Sequence, residues 1–484
     1  MIDTRTASKE LDVRSHPTWT LVLAGLGLFM AALDTLVVTT ALPVLRVSLH
    51  TSLSDLEWTV NAYNLAFACS LLTGAALGDR FGRRRMFCTG LAVFTAASVG
   101  SALAPSVGAL IATRTIQGVG AAMVMPLTLT LISEAFPAER RGMAIGMWGG
   151  IAGLAVAAGP VVGGAVVQGI SWHWIFWLNV PIGVALIPLS AAKLTESFGP
   201  RPHLDVVGLV LAGGGFFGIV WGLVRANAVG WRSGEVIGAM IAGAVLLLAF
   251  LWWEQRAPSP MLSLELFRRP SFNTANGVSF FMYAGLFGAA FLMSQFFQTA
   301  QHHTPLQAGM RLLPWTAAPM IVSPIAGKLA DRYGNRPFMG VGLLLQAVGL
   351  AWIAAGATVH VGFAEVGAAL ALAGIGIGMV FPTVATEAVT SVPPEEVGVA
   401  SGTNSALREL GGVFGVAVLA SVFSRPGVYS SPATFVDGFR TALWVGAGFS
   451  AAGALVAAAG MWRRSPDVEE APVSADLVLL DATR

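Results

Sequence analysis

Fourteen stretches of this chain are each long and apolar enough to cross a lipid bilayer as a helix, which takes about 20 residues. They fall at roughly 19–42, 57–78, 86–104, 108–134, 142–167, 174–192, 205–225, 235–253, 272–297, 306–329, 338–357, 363–388, 398–423 and 438–462. Only 11% of the 484 residues are charged, against about 25% in ordinary soluble proteins. The mean hydropathy of +0.71 points the same way. Hydrocarbon offers no partner for a backbone N–H or C=O, so each span must satisfy its own as a helix. The sequence predicts an all-α membrane protein with fourteen transmembrane helices.

The basic residues set the orientation. With an even span count and a cytoplasmic N-terminus, 20 Lys and Arg fall inside. Six fall outside: Arg46, Arg225, Arg232, Arg311, Arg425 and Arg440. Arg114 and Arg408 are left within the membrane. That bias satisfies the positive-inside rule and puts both termini in the cytoplasm. Residues 1–17 lack the apolar core and cleavage site of a signal peptide, so the first span is retained. Residues 463–484 read as a polar cytoplasmic tail. Three lysines stand beside 25 arginines, with Ala, Gly and Val abundant. That composition suggests a high-GC bacterial gene, hence a multi-pass protein of the bacterial inner (plasma) membrane. Cys69 and Cys88 suit buried packing, with no disulfide or metal spacing.

The chain repeats itself. Ala75-Ala76-Leu77-Gly78-Asp79-Arg80-Phe81-Gly82-Arg83-Arg84-Arg85 returns 252 residues later as Gly327-Lys328-Leu329-Ala330-Asp331-Arg332-Tyr333-Gly334-Asn335-Arg336. Gly118, Gly120, Pro126, Pro137, Glu139 and Gly142 return 256 residues later as Gly374, Gly376, Pro382, Pro393, Glu395 and Gly398. Gly146, Ala155 and Gly159 match Gly402, Gly411 and Gly415 in the same way. Spans 1–6 therefore repeat as spans 9–14. The expected organisation is an N-terminal six-helix bundle over 18–192 and a C-terminal one over 271–462. Residues 193–270 hold linkers and two inserted spans. Two bundles with a site between them are the machinery of a secondary transporter.

Span 5 carries Gly146, Ala155, Gly159, Pro160, Gly163 and Gly164 in the pattern G-x8-A-x3-G-P-x2-G-G. Close helix packing alone accounts for most glycines in membrane helices. The longer pattern resembles the antiporter signature of the major facilitator superfamily, with Ala155 where glycine is usual. The duplicated loop resembles the superfamily's signature too, departing at Ala75. Leu33-Asp34-Thr35 with Ala41-Leu42-Pro43, Trp58 with Tyr63, Arg114 with Gln117-Gly118 and Asn179-Val180-Pro181-Ile182-Gly183 fit further family motifs. His173 stands where arginine is usual. Over nearly its whole length the chain resembles the fourteen-helix drug/proton antiporters of that superfamily. The resemblance implies the major facilitator fold, two six-helix bundles plus two inserted helices. It also implies proton-driven export of hydrophobic drugs or antibiotics by alternating access.

Ionisable groups at membrane depth are costly, so each is a functional candidate. Asp34 lies about 22 Å from the cytoplasmic start of span 1, and Arg114 about 10 Å in from the outer face, so the two share a level. A buried carboxylate is pushed toward protonation by desolvation and away from it by a cation. Asp34 and Arg114 are therefore the proton-coupling candidates; a static pair locking span 1 to span 4 is the plain alternative. Gln117, one turn from Arg114, would orient it or bind substrate. Asn61, Tyr63 and Asn64 would line the cavity or bind neighbouring helices. Arg408 and Glu409 fall near mid-membrane and point about 100° apart. Glu409 would draw a cationic substrate or a second proton, or else close the two halves as a local pair. Asp79, Arg80 and Arg84, with Asp331, Arg332 and Arg336, sit at helix ends where a carboxylate can cap a helix N-terminus and bind neighbouring guanidiniums; the resemblance implies a conformational latch on the cytoplasmic face, and topology set by positive charge is the plain alternative. His302-His303 reads as an external loop without further metal ligands.

No H-E-x-x-H, G-x-S-x-G or phosphate-binding loop is present, which argues against an enzyme and against direct use of ATP. No cofactor is expected beyond the proton gradient. The expected partners are small hydrophobic substrates, cationic or neutral, protons and the bilayer, with no nucleic acid and a monomeric chain. The rival readings are a dedicated exporter of one metabolite, self-made antibiotic or lipid precursor, a non-transporting receptor and a membrane-embedded enzyme.

Overall fold

The structure is a computed structural model that describes residues 17–49, 53–199, 205–258, 260, 262, 264–393, 396–423 and 430–462. Arg5, Lys9, Arg14, Arg201, Arg425, Arg463, Arg464 and Arg484 lie outside the described residues, as do the N-terminal segment before Pro17 and the tail. Every regular element among the described residues is helical. The first seven helices are α1 (Pro17–Ser48), α2 (Leu53–Phe81), α3 (Arg83–Ala102), α4 (Val107–Ala135), α5 (Ala138–Gly169), α6 (Trp174–Trp177) and α7 (Asn179–Lys193). Then come α8 (Val206–Val229) and α9 (Gly234–Glu254). The remainder are α10 (Pro270–Gln295), α11 (Pro305–Thr316), α12 (Ala318–Tyr333), α13 (Arg336–Gly356), α14 (Phe363–Thr390), α15 (Val397–Phe423) and α16 (Pro432–Trp462).

Twelve helical segments among the described residues are long and apolar enough to cross a membrane. Two expected spans do not stand among them. α3 opens on Arg83-Arg84-Arg85, which cuts its apolar length. The expected span at 306–329 is broken at Ala317 into α11 and α12, of 12 and 16 residues. Pro314 and Pro319 flank the break, and a proline removes a backbone donor and crowds the preceding turn. The expected span at 174–192 is likewise split, a single turn at α6 preceding α7. Polar caps fix several helix starts. Ser106, Asp205 and Ser233 accept the amides of Ala109, Gly208 and Val236. Thr304 and Gln307 form a reciprocal capping box at α11.

The internal repeat is visible in the backbone contacts. A side chain on Gly118 would strike the Tyr63 carbonyl of α2, and one on Gly374 would strike the Trp315 carbonyl of α11. Tyr63 and Trp315 are 252 residues apart. Gly120 lies against Gly90 and Phe94 of α3; Gly376 lies against Gly342 and Gln346 of α13, again 252 residues on. Gly146 of α5 meets Ser323 and Gly327 of α12, while Gly402 of α15 meets Leu71 and Ala75 of α2. Small residues at these crossings let backbones approach closely, as helix association in lipid requires.

Between the halves, α5 packs along α11, α12 and α14, and α15 packs on α2 and α4. The helices α8 and α9 cross tightly at Gly215, Gly218 and Gly243. α8 then wedges Val220 and Trp221 against Leu65 and Ala68 of α2 and Leu410 and Val413 of α15. Glu254 is buried and accepts the Leu262 amide, and a 3-10 turn spans Leu264–Arg268.

Candidate functional site

Asp34 of α1 is 1% exposed and Arg114 of α4 is 0% exposed. The two meet at 2.5 Å, Arg114 Nη1 donating to Asp34 Oδ2. Gln117 sits one turn on, at the i, i+3 spacing that shares a helix face. Its Nε2 donates to Asp34 Oδ1 at 2.9 Å and its Oε1 accepts from Arg114 Nη1 at 2.7 Å. Asn179 opens α7 and donates to Asp34 Oδ1 at 2.7 Å. Ser98 of α3 accepts from Gln117 at 2.9 Å and from Asn179 at 3.4 Å. Arg114 also donates from Nε to the Thr59 carbonyl of α2, and its guanidinium lies 4.2 Å from the Tyr63 ring centroid. One carboxylate is thus held by three charge-assisted donors in a buried core. Its neighbours come from α1, α2, α3, α4 and α7, five helices of the first half.

Such a cluster has one soft element. Protonating Asp34 would cancel its attraction for Arg114 and leave a buried guanidinium seeking another partner. Arg114 Nη2 already carries no hydrogen bond. A proton on Asp34 therefore changes the forces on five helices at once.

The second half has a different centre. Arg408 of α15 is 3% exposed, its guanidinium lying 5.1 Å from Tyr283 and 5.4 Å from Phe381. Glu409 comes no closer than 3.8 Å to its Nε and stays half-buried. Phe381 stacks on Trp148 of α5 at 5.2 Å. Ser401 and Asn404 precede Arg408 on α15. Ser401 donates to the Pro126 carbonyl of α4, and Asn404 to Asn276 and Ser279 of α10.

At the end of the molecule that carries the two loop motifs, each aspartate sits on the opposite half. Asp331 of α12 accepts the Met143 amide at 3.0 Å at the start of α5, and a side chain on Gly142 would collide with it. Asp79 of α2 lies over Gly398 at the start of α15 in the same way. A carboxylate over exposed helix N–H groups is favourably placed. Desolvation pushes Asp331 up, while the Gly142 and Met143 amides pull it down. The motif glycines Gly82 and Gly334 have φ of 104° and 82°, backbone that side chains rarely adopt.

The latch residues divide differently from the expectation. Arg83, not Arg80, grips Asp79, through Nε at 2.8 Å and Nη2 at 2.7 Å, and also pairs with Glu134. Arg80 and Arg332 are exposed and lie over the rings of Phe81 and Tyr333. Arg84 binds the carbonyls of Ala191 and Leu194 and pairs with Glu196. Arg336 binds Glu387, Ser271 and the Gly460 carbonyl, all within the second half. The strap 194–199 crosses the first loop, with Ser197 accepting the Arg83 amide and Gly199 donating to the Asp79 carbonyl. A cavity of about 380 Å³ opens beside it, lined among others by Thr20, Ser133, Glu134, Arg141 and Thr195.

Of the helix-5 pattern, Gly146 meets α12, Ala155 is buried, Gly159 packs on Leu36 of α1, Gly163 is buried and Gly164 reaches Leu306 of α11. The side chain of Pro160 lies outside the described residues, though α5 is helical through it. Asn61 is half-buried on α2, away from the Asp34 cluster. Sequence reasoning missed Ser98, Thr59, Arg83, Glu134 and Glu196 as partners. It reached Asn179 only as part of a family motif.

The sequence profile described as Major Facilitator Superfamily matches residues 24–206, 185–416 and 275–478, so nearly the whole chain is covered. The chain belongs to the major facilitator superfamily. It is a multi-pass membrane protein of a transporter family, not an enzyme. Among its relatives is the tetracenomycin C resistance and export protein of Streptomyces glaucescens, 34% identical over 84% of this chain and 76% of that one. Multidrug resistance protein Stp of Mycobacterium tuberculosis is 36% identical over 84% of this chain and 75% of its own length. The methylenomycin A resistance protein of Streptomyces coelicolor is 33% identical, covering 82% and 83%. Relatives of this superfamily member are thus named for drug and antibiotic resistance. Among solved structures, the human organic anion transporter MFSD10 (TETRAN) aligns with a TM-score of 0.66 at 16% identity, over 92% of this chain and 100% of that one. The proton:xylose symporter XylE aligns with a TM-score of 0.63 at 16% identity, over 91% and 95%. Likeness at that identity establishes the fold alone.

Proposed function

We propose that this chain is a fourteen-span drug/proton antiporter that exports hydrophobic, cationic or neutral compounds by alternating access. Its place is a bacterial inner membrane, with both termini in the cytoplasm, no cofactor and a monomeric chain. Two six-helix bundles, 18–192 and 271–462, flank the linkers and inserted helices of 193–270. α3 and the broken α11–α12 pair supply the two spans beyond the twelve most apolar helices. The backbone contacts repeated at a 252-residue offset support that division.

The observation that carries the antiport reading is Asp34, a carboxylate buried at the meeting point of five helices and held by Arg114, Gln117 and Asn179. Charge at membrane depth is rarely kept for packing alone. A proton on Asp34 loosens its hold on Arg114, and the cluster rearranges as the cavity changes sides. Glu409 draws cationic substrates. Asp79 and Asp331 hold the cytoplasmic ends of the bundles together, so their engagement on Gly398 and Gly142 describes a conformation closed to the cytoplasm. Releasing them opens the cytoplasmic side for loading.

The names of the relatives also favour a narrower reading, export of a single compound, since two are named for resistance to one antibiotic each. The test is transport in proteoliposomes with an imposed pH gradient. Uptake or efflux of a lipophilic compound should follow the gradient, collapse with a protonophore and need no ATP. Transport that persists without a proton or sodium gradient would overturn the mechanism. A panel of unrelated compounds separates broad from single-substrate export.

A further inference from the structure

We propose that Arg408 is a binding site for an acidic group, a carboxylate, phenolate or enolate carried on an aromatic substrate. The proposal rests on the export reading and extends it to compounds that a cationic-or-neutral range leaves out.

Arg408 is 3% exposed and sits near the middle of α15. Its Nε is buried with no hydrogen-bond partner. The carboxylate beside it, Glu409 Oε1, is 3.8 Å away, beyond hydrogen-bond reach. Arg114 provides the contrast. It too is buried, yet it donates to Asp34, Gln117 and the Thr59 carbonyl. Leaving a buried guanidinium N–H unmet at membrane depth is costly. A locking ion pair would close on its partner; this one stays open.

The surroundings say what would complete it. Tyr283 and Phe381 flank the guanidinium, and Phe381 stacks on Trp148 of the opposite half at 5.2 Å and 17°. The site therefore lies on the seam between the halves, where an exported compound must pass. Aromatic rings at the seam favour a flat, conjugated body. The fork of the guanidinium matches a planar acidic group, which Nε and one terminal nitrogen bind side by side. Arg408 has no counterpart in the first half, where Ala152 stands 256 residues earlier, so helix pairing common to both halves does not require it.

The test uses three probes with one ring system: 2-naphthoate, 2-naphthylmethanol and 2-naphthylmethylammonium. Each is bound by equilibrium dialysis to the purified full chain in detergent at neutral pH. The parent should bind the anion at least about tenfold more tightly than the alcohol, the margin expected of one charge-assisted pair. Arg408→Gln should erase that margin, and Arg408→Lys should keep only part of it, having charge without the fork. Equal binding of anion and alcohol by the parent, or a margin that survives Arg408→Gln, would each overturn the proposal. If Arg408→Gln fails to fold, the parent ratio and the lysine variant still decide. Asp34→Asn should retain the anion margin while losing gradient-driven transport, so failure of coupling and failure of acid recognition are read separately.

Discussion

The two halves of this transporter share a skeleton and differ in their buried charge. In the first half, Asp34, Arg114, Gln117, Asn179 and Ser98 form a closed network. At the repeat positions of Arg114 and Gln117 in the second half stand Leu370 and Ala373, both buried in an apolar core. The second half has its own charge at Arg408 and Glu409, where the first half has Ala152 and Gly153. The first centre is bonded internally at every group but Arg114 Nη2, and the second is open at Arg408 Nε. A densely bonded buried network is suited to switching on one proton, because adding it breaks several bonds together. An open charge is suited to a visiting molecule. The proposed division of labour is coupling in the first half and recognition in the second.

The largest expected effect breaks the first centre. Asp34→Asn keeps the size but cannot titrate, and its amide nitrogen cannot accept as one carboxylate oxygen does. Gradient-driven export should fall to the level of empty liposomes, while exchange of substrate for substrate survives. Substrate counterflow measured beside pH-driven transport checks both. If both are lost together, Asp34 holds the fold rather than the proton.

Next comes the latch that both halves share. Gly142→Val and Gly398→Val would unseat Asp331 and Asp79 from the opposite half. Transport should drop by about tenfold in either variant, the scale of losing one favourable carboxylate–helix contact and repacking its surroundings. A single cysteine at the Ala138 end of α5 should label faster in each. Unchanged labelling would mean that these contacts do not hold the closed state.

A smaller effect is expected at Glu409→Gln. Affinity for a cationic substrate should weaken by roughly tenfold, about 1.4 kcal/mol of lost attraction, and a neutral substrate should be little affected. Equal losses for the two would remove charge recognition from Glu409. Smallest of all is Ala75→Gly, which restores the usual residue of the loop signature. Ala75 faces Gly402 across the halves, and transport should change by less than about twofold, since an alanine is already small enough for that crossing.

Much of the fold was legible because lipid leaves the chain few choices. Apolar length marked the helices, and the repeated loop and glycine patterns marked the duplication. What composition could not show was continuity. The break at Ala317 depends on Pro314 and Pro319 acting together, and prolines elsewhere, such as Pro126 and Pro382, stay inside unbroken helices. The site was legible only in its charges. Asp34 and Arg114 stood out against apolar surroundings, and their estimated depths agreed. Ser98, Thr59 and Asn179 are ordinary residues until helix rotation turns them inward, which sequence spacing within one helix does not fix across five. Arg83 was indistinguishable from Arg80, Arg84 and Arg85 in a basic run. Only the strap 194–199 and Glu134 single it out.

The central claim is that Asp34 is the proton carrier, and proton release on substrate binding tests it most directly. Substrate is added to the purified, unbuffered protein, and the pH of the solution is followed with an indicator dye. The account predicts that the parent releases protons in proportion to substrate bound and that Asp34→Asn, binding the same substrate, releases none. Equal release by the two proteins would contradict it and move the coupling carboxylate elsewhere.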